Sequence, residues 1–153
     1  QGKEGLYAAV FAQKIEPMRT LMAEVSSSAA APAEKLAEIL HRTARYILFE
    51  EPCIKALFAE CLQGNRLPDD TAELIAWRHE VIVRILNDGI KRGVFRECDV
   101  DAVAWSFFGL IAPYMLLTPV VQPEHKRGAY SADFVKRVAD AAVDLLLRGI
   151  RHP

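Results

Sequence analysis

Residues 70–93 read DTAELIAWRHEVIVRILNDGIKRG, and their spacing decides the fold class. Leu74, Ile75, Trp77, Val81, Ile82, Ile85, Leu86 and Ile90 recur at steps of three and four, which places them along one side of a helix. Asp70 and Glu73 stand at capping-box spacing ahead of that stripe, where each side chain can satisfy a free backbone donor of the first turn. Gly93 closes the helix, because a helix end commonly needs a residue that accepts a left-handed backbone. A stripe this long must lie against other helices, so the flanking segments are expected to carry the same period.

They do. Upstream, a first helix is expected from about Lys3 to Val25 through Leu6, Tyr7, Val10, Phe11, Ile15 and Met18, kinked at Pro17, which lacks a backbone donor. A second follows Pro32, with Leu36, Ile39, Leu40, Thr43 and Ile47 inward, and stops near Glu50-Glu51-Pro52. A short third is expected from Pro52 to Gly64-Asn65, with Ile54, Leu57, Phe58 and Cys61 inward. Downstream of residue 93, Asp99 or Asp101 caps an uncharged fifth helix ending around Thr118-Pro119, and Ser131 caps a last helix reaching Ile150. Strict apolar alternation over a strand length is nearly absent. The expected fold is all-α, a bundle of about six helices without internal repeats or a domain boundary.

The composition agrees with one packed domain: 153 residues, 52% hydrophobic and 25% charged, are enough to bury a core and too apolar to stay disordered. With 19 basic and 20 acidic residues the net charge is -1, which argues against a nucleic-acid footprint within these residues. Cys53, Cys61 and Cys98 form no C-x-x-C pair, and a reducing cytoplasm suits them. Ala102 to Val121 holds no charge over about a bilayer's length, but Ser106, Gly109, Pro113, Thr118 and Pro119 favour the centre of a soluble bundle over a membrane span.

Motifs of catalysis are wanting. His79-Glu80 begins like a zinc-protease signature, yet Val83 stands where the second ligand is required. No nucleophile elbow or Gly-rich phosphate loop is present, and no metal, cofactor or catalytic residue is expected. The aromatics are more suggestive. Phe49, Phe58, Trp77, Phe107, Phe108 and Tyr114 sit on helices that share an interior, and they either fill it or line a pocket for an apolar or aromatic ligand.

The last helix has more apolar surface than one bundle can cover. Its charges, Asp133, Lys136, Arg137, Asp140, Asp144 and Arg148, fall within about 120° of arc, leaving two apolar edges. Phe134, Val138 and Leu145 make one, and Val135, Ala139, Ala142, Leu146 and Ile150 the other, so one edge is expected at home and one on a partner. The fifth helix divides similarly, with a small-residue face of Ala102, Ser106, Gly109 and Pro113 between two bulky ones. From these residues three readings stay open: a ligand-binding regulatory domain, a helical enzyme or a lipid or cofactor carrier, and a structural interaction domain.

Gly2-Lys3-Glu4-Gly5-Leu6-Tyr7-Ala8-Ala9-Val10-Phe11 resembles the junction in tetracycline-repressor (TetR) family regulators where the recognition helix ends and the next helix begins. Glu16-Pro17 is also similar to that family, as is Asp88-Gly89-Ile90-Lys91-Arg92-Gly93-Val94-Phe95, followed by Asp99-Val100-Asp101-Ala102 and a long apolar helix. The resemblance implies a ligand-responsive transcriptional regulator, a repressor and not an enzyme, acting in the cytoplasm. It further implies a helix-turn-helix head upstream for operator DNA, residues 1–25 as the linking helix and 26–153 as the effector-binding and dimerisation body. Lys3 matches the family position that touches a DNA phosphate. From the helix faces, Phe49, Trp77, Phe108, Ile111 and Met115 are expected around a small apolar or aromatic effector. Phe107, Tyr114, Val135, Ala142, Leu146 and Ile150 are expected in a homodimer interface.

Overall fold

The computed structural model describes residues 3–50, 59, 69–117 and 130–151, with the side chains of most of them. Among these residues the regular elements are all helical. They are α1 (Lys3–Ser27), α2 (Pro32–Arg45), α3 (Asp69–Lys91), α4 (Val100–Gly109), α5 (Ala112–Leu116) and α6 (Ala132–Ile150), and a π-helical turn, Tyr46–Glu50, prolongs α2. The short helix expected between Pro52 and Gly64 and most of the loop after Thr118 lie outside the described residues.

α2 is the central strut, packed against α1, α3 and α6. Its Leu36, Ile39 and Leu40 are fully buried, as the step of three and four requires of a helix covered on one face. Pro32 opens it, and the Glu34 carboxylate accepts the Ala31 N–H at 2.9 Å. α1 lies across α2 and α3 and contributes Met18, Met22 and Val25 to the core. It runs as one helix through Pro17, whose missing N–H leaves the Gln13 carbonyl without its usual partner. Pro17 is exposed and borders a shallow groove with Gln13, Glu16, Thr20, Leu21 and Glu24.

The uncharged run after Asp99 does not form the single helix expected of it. α4 ends at Gly109, and the chain restarts as α5 at Ala112 with Pro113 in its first turn. Proline at that position cannot donate to the Gly109 carbonyl and its ring crowds it, and here, unlike at Pro17, the helix breaks. Among the described residues no helix is long and apolar enough to cross a membrane. Of the two candidate caps of α4, Asp99 accepts the Ala102 N–H at 3.0 Å, while Asp101 faces His79.

The turn after α3 ties the two ends of the domain together. Gly93 has φ +69°, and Val94 and Phe95 both donate backbone N–H groups to the Gly89 carbonyl. Phe95 thereby folds back into the core, and the Arg96 N–H reaches the Ile150 carbonyl at 2.8 Å. The Arg96 side chain adds a bond from Nε to the Gly149 carbonyl, so the end of α6 finds donor partners in this loop. At its start, the Ser131 hydroxyl accepts the Phe134 N–H at 3.1 Å.

Candidate functional site

α3 and α4 pack side by side, and α5 meets the π-helical turn at the end of α2. At about 100° per residue, position 78 falls within about 40° of Leu74, Ile82 and Ile85, at the centre of the core-facing stripe of α3. The occupant is Arg78. Its guanidinium carbon lies 4.4 Å from the centre of the Phe108 ring on α4, a cation over an aromatic face. Its Nε is sealed from solvent with no hydrogen-bond partner, and burial pulls the pKa of the group down to about 10. It therefore stays charged at neutral pH in a place where a charge is costly.

Sequence reasoning missed this residue, because the stripe was traced through apolar residues alone. The signal was present: Arg78 stands four residues after Leu74 and four before Ile82.

The residues expected around an effector are distributed as follows. Ile111 and Met115 are fully buried, and Trp77 and Phe108 pack half-exposed at the edge of the same continuous core. Trp77 sits on the flank of the α3 stripe, and Arg19 of α1 lies over its ring at 5.8 Å. Phe49 belongs to the π-helical turn, a local widening that often marks functional positions. The Phe49 and Lys3 side chains lie outside those described.

Those expected at a dimer interface are placed inward. Phe107, Val135, Ala142, Leu146 and Ile150 are all buried within the single chain. α6 turns the edge carrying Val135, Ala142, Leu146 and Ile150 toward the core, and it packs on α2. That edge is thus the one covered at home, and these residues have almost no area left to lose to a partner. Tyr114 is half-exposed; its carbonyl accepts the Tyr130 hydroxyl at 2.8 Å and its ring meets Phe134 edge-on. The surfaces left open are elsewhere: Leu145 is 66% exposed on α6, Trp105 54% on α4 and Leu117 61% after α5. Ala102, Ser106, Gly109 and Pro113, the small-residue face, are also exposed.

Two further features border these surfaces. His79 stacks on Trp105 with ring centres 4.6 Å apart, and its Nε2 lies 3.1 Å from Asp101 Oδ1 but out of hydrogen-bonding alignment. Among the described residues no three His, Cys, Asp or Glu side chains gather as metal ligands. A cleft of about 770 Å³ between α2 and α6 is lined by Glu38, His41, Arg42, Arg45, Val135 and Lys136 among others. It is a charged surface groove, removed from the aromatic site.

No protein-family model and no curated protein sequence matches the chain. Solved structures do. AibR, solved in complex with isovaleryl coenzyme A and operator DNA, superposes with a TM-score of 0.71 at 15% identity, over 96% of this chain and 76% of that one. A proposed fatty acid metabolism regulator of Clostridium perfringens gives 0.70 at 21% identity, over 100% and 79%. A protein of unknown function from Rhodococcus sp. RHA1 gives 0.76 at 14% identity, over 99% and 75%. This chain shares the all-helical fold of these neighbours.

Proposed function

We propose that the chain is the effector-binding and dimerisation part of a ligand-responsive transcriptional repressor of the cytoplasm. The observation that carries this reading is the fold shared along 96% of the chain with a regulator solved with both an acyl coenzyme A and operator DNA. The half-exposed aromatic edge of the core supports it, because a small apolar body fits best where a few ring faces border a buried aliphatic interior. In this reading the effector enters beside Trp77 and Phe108, near Ile111 and Met115, and Phe49 is the fifth residue of the set. The acyl ligand of the structural neighbour makes an acyl-type effector the first class to try.

The route from effector to DNA follows from one contact. Arg19 of α1 lies over the Trp77 ring, so an effector that repositions Trp77 acts directly on α1, and Pro17 lets the two halves of that helix reorient at low cost. Operator DNA is met by a head adjoining α1, with Lys3 beside a phosphate. An effector moves this equilibrium only by its differential affinity, and a coupling of about 1 to 3 kcal/mol weakens operator binding roughly 5- to 150-fold. Two copies pair through the open faces of α4, α5 and α6, where Trp105, Leu117 and Leu145 are exposed.

The test is selection of genomic DNA fragments by the full-length protein, followed by titration of acyl-type and aromatic compounds against the selected site. The expected result is a sequence-specific complex released by one of them. Absence of any sequence-specific complex would end the regulatory reading.

A further inference from the structure

The charge at the centre of the α3 stripe is not answered by the described fold. Arg78 lies on the Phe108 ring and its Nε has no acceptor. The carboxylates described in ion pairs serve other cations: Asp101 faces His79, Asp88 holds Arg92, Glu38 and Glu24 hold Arg42, and Asp133, Asp140 and Asp144 pair within α6. A partly buried cation without a counterion contributes little to the folded state. For a ligand the same arrangement is an advantage, since the guanidinium is held on the ring with its Nε shielded from water before the ligand arrives. A guanidinium offers a planar fork that matches a carboxylate, and its face can stay on an aromatic ring while its edge is bound.

We propose that the effector is an organic acid, an apolar body ending in a carboxylate, and that Arg78 receives the carboxylate while the apolar body lies along Phe108 toward the core. This deepens the effector-responsive reading and rests on it for the consequence of binding. A neutral effector leaves Arg78 unpaired. A coenzyme A thioester carries its charge on distant phosphates and presents a neutral group at the same depth. The three ligand types are therefore distinguishable by their dependence on this one side chain.

The experiment uses the full-length protein without DNA and measures binding by calorimetry. The probes are the straight-chain acids from butyrate to dodecanoate and their phenyl-substituted counterparts, each beside its primary alcohol and its coenzyme A thioester. The expected outcome is that at least one acid binds about 10- to 100-fold more tightly than its alcohol, the range a charged hydrogen-bonding pair commands. Arg78→Met erases that preference, and Arg78→Lys, which keeps the charge without the fork, retains part of it. In the absence of ligand Arg78→Met melts no lower than the parent, because replacing an unpaired, partly buried cation by an apolar chain of similar length is neutral or stabilising. Equal binding of acids and alcohols, binding of thioesters alone, or a loss of ligand-free stability in Arg78→Met overturns the proposal. Acid binding that fails to release selected DNA sinks the regulatory reading and leaves the carboxylate site standing.

Discussion

Phe95 packs so tightly on Gly89 that a Cβ placed on the glycine would overlap the edge of the ring. The same glycine carbonyl accepts the N–H groups of Val94 and Phe95, so the close approach and the turn are one device. Gly89→Ala forces the ring or the turn to move, at a cost of about 1 to 3 kcal/mol for overpacking, offset by up to about 1 kcal/mol of improved helix propensity. Gly149 has nothing within 4 Å of its virtual Cβ and lies in α6, so Gly149→Ala should be neutral or slightly stabilising. Urea denaturation of the two variants checks the contrast, and equal midpoints would contradict it.

The Tyr130 hydroxyl donates to the Tyr114 carbonyl, and its ring stacks on Phe134 at 5.3 Å. Burial raises its pKa above the ordinary value of 10.0. The folded state thus prefers the neutral phenol, whose stabilisation is complete below pH 10 and is lost as pH rises through the folded value. Tyr130→Phe should cost about 0.5 to 1.5 kcal/mol at pH 7, and its deficit should shrink once the pH passes about 10, where the phenol of the unfolded parent begins to ionise while the folded one stays neutral. Thermal melts of both proteins from pH 7 to 11 read this directly; a deficit that stays constant would show that the hydroxyl titrates without consequence.

Much of the architecture is legible because its signals are local. The α3 stripe, Gly93 at the turn and Ser131 at the start of α6 each depend on neighbours within a few residues. The break at Gly109 was legible in principle, but Pro113 was read for its small size and not for its missing N–H. Arg78 is the one charged position on the axis of that stripe, and apolar spacing alone does not mark it. The two apolar edges of α6 are alike in composition, and which one packs at home depends on what α2 presents across the bundle. No spacing within residues 132–150 encodes that choice.

The contact between Arg78 and Phe108 can be measured independently of any ligand. A cation over an aromatic face contributes about 0.5 to 2 kcal/mol depending on its desolvation, and Arg78 is partly buried with its Nε sealed from solvent. Phe108→Leu keeps apolar bulk and removes the ring, so a double-mutant cycle with Arg78→Met should return a coupling in that range. A coupling near zero in chemical denaturation would mean that the ring and the guanidinium are neighbours without interacting.

Leu145 and Leu146 are adjacent in sequence and opposite in exposure, 66% against 8%, which separates folding from assembly in a single pair of variants. Leu146→Asp inserts a carboxylate into the buried contact between α6 and α2, and the chain should lose its cooperative unfolding transition. Leu145→Asp meets only solvent in the isolated chain, so helicity and melting of the monomer should be preserved. In a two-fold dimer each copy contributes its own Leu145, and removing two buried leucines costs about 3 to 6 kcal/mol in all. The dissociation constant should then rise by roughly 10²- to 10⁴-fold. Sedimentation at micromolar concentration decides the matter: a parent dimer and a folded Leu145→Asp monomer are expected. A parent that is monomeric, or a Leu145→Asp variant that dimerises as tightly as the parent, would move the interface away from this face of α6.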